Sequence, residues 1–259
     1  LQPSGTTLFI EGKSWLHANH PFNKLSYLLL TGVVAYCAPR AWVADVLLLG
    51  LNTLFAAMSG ILPAFRKITW RALLPLALFM IPIHGCLYPG NQTPVAAYDT
   101  IVFYLEGLQF AGTTLMQLAA ILTASLLFVF TTHPADFITA LTQARWPSSI
   151  AYLMGSPLLM LPAMRSRIDV ILAAQQARGL DAQGSLLKRI WSLAPLAAPL
   201  ILGALTEIEQ RAIALELRGF NCSCKKTSLR IVTDSYAQRV ARWLMLFVSL
   251  IIVLHRLMI

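Results

Sequence analysis

Charge is scarce in this chain. Asp, Glu, Lys and Arg together make up 12% of its 259 residues, while hydrophobic residues make up 57% and the mean hydropathy is +0.67. A soluble domain carries about a quarter charged residues, so this balance excludes one and defines a polytopic membrane protein. Acids are the scarcer sign, 11 against 20 Lys and Arg, which leaves a net charge of +9. That excess does not mark a nucleic-acid binder. Of the 20 basic residues, 13 fall between Arg145 and Arg242, interleaved with six acids from Asp169 to Asp234. The positive-inside rule assigns such a mixed segment to the cytoplasmic face, with no nucleic acid implied.

Cysteine is scarce too. Cys37, Cys86, Cys222 and Cys224 form no paired framework, and Cys222-Ser-Cys224 has no His or further Cys at ligand spacing, so free thiols are expected and no metal site. A Walker A motif, a Gly-rich phosphate cradle and a nucleophile elbow are all missing. The chain therefore has no P-loop route to ATP hydrolysis, and the sequence assigns it no catalytic residue and no cofactor.

What is present is long apolar runs, over residues 25–131 and 243–259, separated by a mixed stretch over 133–242. The expected organisation follows: N-terminal membrane helices over 1–132, an interfacial region of amphipathic helices over 133–242, and a C-terminal transmembrane helix over 243–259. Residues 1–24 are polar and carry Lys13 and Lys24, which places them in the cytoplasm. Leu25–Ala38 leads through Pro39-Arg40 into Ala41–Leu62 without a small-residue cleavage site, so it is expected to be a retained span rather than a signal core. It is short for about 20 residues and either thins the bilayer or extends back through Pro21. Arg66, Lys67 and Arg71 mark the next cytoplasmic end, a third span covers Leu73–Leu87, and the Lys- and Arg-free loop from Tyr88 to Thr100 belongs outside. The run Ile101–Thr131 exceeds one span, as a tilted helix or as an interfacial piece preceding a span.

Beyond Thr132-His133-Pro134 the periodicity becomes amphipathic. In Pro162–Arg178, Met164, Ile168, Ile171, Leu172 and Gln175 share a face, with Pro162 at a first-turn position and Gly179 as C-cap. Trp191–Leu205, with Pro195 and Pro199, reads as a buried or re-entrant helix or as a span. It continues into a second amphipathic helix with Ile201, Leu205, Ile208, Ala212 and Leu215 on one face, ending at Gly219. A basic linker over 221–234 leads to the last span, with Arg242 at its cytoplasmic end.

Both amphipathic helices close alike: Ala174-Gln-Gln-Ala177-Arg178-Gly179-Leu180-Asp181 and Ala214-Leu-Glu216-Leu217-Arg218-Gly219-Phe220-Asn221. One Arg-Gly end is an ordinary terminus, because a last-turn cation suits the macrodipole and Gly relieves the left-handed cap. Two matched ends in one cytoplasmic segment point further, to two guanidiniums presented to acidic grooves on soluble partners. Arg suits this because its fork binds carboxylate bidentately and stays charged on desolvation.

With Ala177-Arg178-Gly179, the Pro-Leu run Ala194–Leu205 leading to Ala212-Ile-Ala214-Leu-Glu216-Leu217-Arg218-Gly219-Phe220, and Thr131–Leu141 leading to Trp146-Pro147, the chain resembles the transmembrane T component of energy-coupling factor (ECF) transporters, the family that includes cobalt and nickel permease subunits. Ser14-Trp-Leu-His17 with Pro21 and Lys24 is similar, more weakly, to that family's entry into its first span. The resemblance implies an all-α polytopic protein of the bacterial or archaeal cell membrane, with a cytoplasmic pair of crossed coupling helices and no enzymatic activity of its own. It implies two ABC-type ATPase subunits as partners, identical or different, engaged by Arg178 and Arg218, and a substrate-binding S component for vitamin or metal uptake. Ala177, Gly179, Ala214, Glu216, Leu217 and Gly219 complete the two signatures. Leu217 stands where the signature has Ala, and Thr206-Glu207 stands where the family carries a basic pair. The classes set against this one are an integral membrane enzyme acting on lipid-linked substrates, which would need a His or acidic cluster at a span end, and a scaffold that recruits partners without transport.

Other polar residues have plain readings. Asp45 and Glu106 lie near span ends and are expected at the interface. His84 has no second ligand at helical spacing and is expected to be packed and hydrogen-bonded. Glu209 and Glu216 sit on a solvated face, where Glu216 can accompany Arg218.

Overall fold

The computed structural model describes residues 9, 10, 12, 14–38, 41–98, 101–144, 147–179, 194–220, 222 and 232–258. The expected turn at Pro39-Arg40, Asp181, Trp191, Cys224 and most of the basic linker lie outside them. Two compact units emerge, one of residues 1–146 with 230–259, the other of residues 147–229.

The first unit begins with a short helix α1 (Trp15–Ala18), followed by α2 (Pro21–Cys37), α3 (Ala41–Met58) and α4 (Leu62–Leu87). A hairpin of β1 (Pro94–Tyr98) and β2 (Ile101–Tyr104) leads to α5 (Leu105–Thr131) and α6 (Pro134–Gln143), and the chain returns to this unit with α9 (Tyr236–Met258). The long apolar run over 101–131 thus resolves as strand, then one uninterrupted helix. The first span does extend back to Pro21, where His20 caps it by accepting from the Phe22 N–H at 3.2 Å.

The span boundaries move at α3 and α4. Gly60 takes φ +71 and ends α3 early, and Pro63 sits in the first turn of a helix already running at Leu62. Arg66, Lys67 and Arg71 therefore lie inside the first turns of α4 rather than between two spans. Likewise Arg242 lies inside α9, where it meets Asp234 ahead of the helix at 3.1 Å and covers the Phe22 ring at 5.8 Å. Burial opposes ionisation of Asp234, but the bonds and charge of Arg242 and the pairing with Arg239 outweigh it and lower its pKa.

Among the described residues three helices, α4, α5 and α9, are long and apolar enough to cross a membrane. At 17 and 18 residues, α2 and α3 rise only about 26–27 Å, just under a ~30 Å hydrocarbon core. α5 is the central helix and packs against α2, α3 and α4, while α9 packs on α2. Close approach rests on small residues, since Ala35, Ala56, Ala111, Ala119, Ala120 and Ala124 are all buried. Gly107 is tightest, because a Cβ there would lie 2.0 Å from the His84 carbonyl oxygen. Asn52 locks three helices: its Nδ2 donates to Thr123 Oγ1 at 2.9 Å and to the Ala120 carbonyl at 3.2 Å, and its Oδ1 accepts from the Tyr27 hydroxyl. Apolar packing of Ile61, Phe65, Leu126, Leu127 and Phe130 closes one end of this core.

The second unit contains α7 (Ser148–Ala177) and α8 (Ala194–Leu217). α7 is one helix through positions 157 and 162, so Pro162 lies in its interior rather than at a first turn. α8 runs continuously through Pro199, so the apolar stretch and the second amphipathic helix are one element.

Candidate functional site: the two Arg-Gly helix ends

Each Arg-Gly end has the backbone that its sequence calls for. Gly179 takes φ +92 and Gly219 φ +70, the left-handed conformation that side chains with a Cβ resist. At the second end the Gly219 N–H donates to the Glu216 carbonyl at 2.9 Å and the Phe220 N–H to the Leu215 carbonyl at 2.9 Å. Those two bonds are the paired closure of a Schellman motif. At the first end the Gly179 N–H donates to the Gln176 carbonyl at 3.0 Å, the corresponding inner bond.

All eight residues of the two signatures, Ala177, Arg178, Gly179, Ala214, Glu216, Leu217, Arg218 and Gly219, are exposed. Among the described residues no ion pair or side-chain hydrogen bond holds Arg178 or Arg218. Glu216 makes no side-chain bond to Arg218; its contribution at this end is the backbone carbonyl.

The ends do not come together. The Tyr152 ring meets Phe220 edge-on at 5.4 Å, and Arg167 meets Glu207 at 3.0 Å. Rising numbers on α7 therefore meet falling numbers on α8, so the helices pack antiparallel and their C-termini lie at opposite ends. Tyr152, level with the second end, is 26 residues before Arg178, which at 1.5 Å per residue separates the two ends by on the order of 35–40 Å.

A charged cluster joins α7 to α8 midway along the seam. Glu207 takes Arg211 Nη2 at 2.7 Å and Nε at 3.1 Å on one oxygen and Arg167 Nη2 at 3.0 Å on the other. Hydrogen bonds from Arg211, helped by the charge of Arg167, hold its carboxyl below the ordinary Glu range. The apolar stripe of α8 faces elsewhere, with Ile201, Leu205 and Ile208 each nearly 60% exposed. Sequence reasoning missed this triad, although Glu207 in place of an expected base was a signal for it.

The remaining candidates sort simply. His84 is packed as expected, its Nδ1 bonded to the Met80 carbonyl and its ring stacked on Phe110 at 5.2 Å. Glu106 closes the loop between α4 and α5, accepting from Thr93 Oγ1 at 2.7 Å and from the Gln92 and Thr93 N–H groups. Asp45 lies near the start of α3 as expected, yet it is wholly buried. No disulfide joins Cys37, Cys86 and Cys222, and no metal-holding cluster exists among the described residues.

Fold and site together define a polytopic helical membrane protein with a separate pair of antiparallel helices that presents two exposed arginines. The family model described as CbiQ, cobalt transport protein, matches residues 12–229, and the chain belongs to that family. The energy-coupling factor transporter transmembrane protein EcfT of Brevibacillus brevis is 26% identical over 237 residues, covering 88% of this chain and 89% of that protein. EcfT of Leuconostoc gelidum is 26% identical over 250 residues, 90% of each chain, and EcfT of Limosilactobacillus fermentum 26% over 264 residues, 96% of each. The resemblance drawn from the Arg-Gly ends thus holds across most of the chain. The family's description and the relatives' names are those of transport proteins.

Proposed function

We propose that this chain is the coupling subunit of an ECF-type importer for a vitamin or a transition-metal ion. In this reading Arg178 and Arg218 each enter an acidic groove on one of two ABC-type ATPase subunits, and a small substrate-binding S component rests on the apolar faces of α7 and α8. Closure of the ATPase pair on ATP displaces the two helix ends, and the helices carry that displacement to the S component. Such work requires that each end bind its ATPase differently in the open and closed states.

The observation that carries the reading is the pair of left-handed glycine ends holding exposed arginines at opposite ends of an antiparallel helix pair. A single protein partner would need only one such end; two far apart suit two subunits. The exposed Ile201, Leu205 and Ile208 supply an apolar surface for the membrane-embedded partner. The names of the EcfT relatives support a transporter complex, and the cluster of Lys and Arg over 145–242 supports a cytoplasmic side for the second unit and the N-terminus in a bacterial or archaeal cell membrane.

The test is co-purification and uptake in reconstituted vesicles with Arg178→Ala, Arg218→Ala and the double variant. Each single change should weaken ATPase association or import, and the double change should abolish uptake. Normal import by the double variant would overturn the proposal.

A further inference from the structure

Glu207 has no place in the docking of either arginine, yet both of its carboxylate oxygens are engaged by arginines. It stands on the face of α8 turned to α7, while Glu209 and Glu216 on the same helix are exposed. Both of its oxygens are occupied, one by Arg211 a turn further on its own helix, the other by Arg167 across the seam. Gly203, one turn earlier, makes room for this. A Cβ there would lie 3.3 Å from Arg167 Nη1 and 3.8 Å from its Cδ and Cζ, so the guanidinium passes over bare backbone to reach the carboxylate.

The mechanical consequence follows from which face carries the charge. Apolar seams resist separation but tolerate sliding, because burial has no direction. A guanidinium and a carboxylate in fixed hydrogen-bond geometry resist rotation and register shift as well. On α8 the apolar stripe Ile201, Leu205 and Ile208 points away from α7, and the Tyr152–Phe220 ring contact lies past the end of α8 at Leu217, so along the helix bodies the charged contact fixes where they cross. The crossing lies between the two arginine ends, so whatever fixes it decides whether displacing one end displaces the other.

We propose that Glu207 is a positioning residue, a charge clamp with Arg167 and Arg211 that fixes the crossing of α7 and α8 and so makes the two helix ends move as one body. The inference rests on the reading of α7 and α8 as coupling helices. It also gives a role to Thr206-Glu207, which replaces the basic pair of the resembled pattern: here the carboxylate on α8 takes its partner from α7.

The test uses the complete reconstituted complex and measures substrate imported per ATP hydrolysed, a ratio that simple loss of folded protein does not change. Glu207→Gln keeps the size and an acceptor oxygen but removes the charge. It should assemble with both ATPases and hydrolyse ATP at the unmodified rate, with import per ATP reduced several-fold. Glu207→Arg should reduce it further. The exchange Arg167→Glu with Glu207→Arg again sets a carboxylate against arginines and should restore the ratio to within about twofold. An unchanged ratio in Glu207→Gln overturns the clamp. Should the single variants fail to assemble, the exchange variant decides: assembly with recovered coupling supports the clamp, and assembly without it overturns the clamp. The Arg178→Ala, Arg218→Ala double variant runs in parallel. Normal import there sinks the coupling reading itself, whereas its loss beside an intact Glu207→Gln sinks the clamp alone.

Discussion

Replacing the two cap glycines separates the delivery of each arginine from the arginine itself. At Gly219 a Cβ would meet only Cys222 Cβ at an ordinary 3.7 Å, and at Gly179 nothing lies within 4 Å. Steric crowding therefore contributes nothing at either position, and the cost of Ala is that of holding a Cβ-bearing residue at φ +70 or +92, about 1–2 kcal/mol. That figure corresponds to a roughly 5- to 30-fold shift from formed to frayed helix end. Helix termini open at close to zero free energy, so on the coupling reading nearly all of the shift should appear as weaker binding of an ATPase that needs the formed end. Asn enters the left-handed region more readily and should fall between Gly and Ala. Titrating ATPase subunits onto the detergent-solubilised chain reads the affinity. Hydrogen exchange at the Gly219 and Phe220 amides, now bonded to the Glu216 and Leu215 carbonyls, reads the fraying. Arg218→Ala is the control, losing affinity without faster exchange. Ala variants that bind within twofold of the parent, or an Asn variant weaker than Ala, would refute the argument.

Other positions test the membrane unit. Gly107→Ala forces a Cβ to 2.0 Å from the His84 carbonyl oxygen, and should cost stability at or beyond the top of the ~1–3 kcal/mol overpacking range, seen as a lowered thermal transition in detergent. Asn52→Ala removes the link between Tyr27, Ala120 and Thr123 and should cost about 1–2 kcal/mol, because interhelical bonds in membranes are worth less than their burial suggests; unfolding in bicelles gives the value. His17 donates from Nε2 to the Ile10 carbonyl and accepts at Nδ1 from Ser14, and burial, ahead of the charge of Lys24, lowers its pKa below 6.5. A depressed pKa means that the unfolded segment binds the proton more tightly. The N-terminal segment should therefore hold fully above pH 6.5 and loosen as pH falls through the folded value, visible as faster exchange of the Ile10 amide, which is bonded to the Phe130 carbonyl. Exchange independent of pH, once corrected for intrinsic rates, would exclude this.

What the sequence made legible was what local chemistry decides. An apolar run long enough to span, a proline at a helix start and a glycine after a last-turn arginine each act within a few residues, and α5, α2 and both caps were read from them. The misreadings share a cause. The fixed φ of proline suits a first turn, so the sequence predicts a helix start at Pro162, but α7 continues through it. Arg66, Lys67 and Arg71 predict a break before a span at Leu73, whereas Gly60 ends α3 and the charges ride in the next helix. The contacts with most specificity join residues far apart in sequence, as Tyr27 with Asn52, Asn52 with Thr123 and Arg167 with Glu207 do, and no local periodicity encodes them.

The antiparallel packing changes the meaning of the mismatch between the two signatures. Had the arginine ends lain side by side, Leu217 in place of Ala would be a local irregularity on a shared surface. Because the ends lie on the order of 35–40 Å apart, on the coupling reading each would meet a partner surface of its own, and the two surfaces are free to differ. Leu217 is 84% exposed, one residue from Arg218, so the second end offers an apolar side chain beside its guanidinium where the first offers only the methyl of Ala177. On the coupling reading, the ATPase at the second end needs an apolar notch next to its acidic groove. A complex with two different ATPase chains can meet that demand on one chain alone. A complex using one chain twice must carry the notch in both copies and leave it unfilled at Arg178.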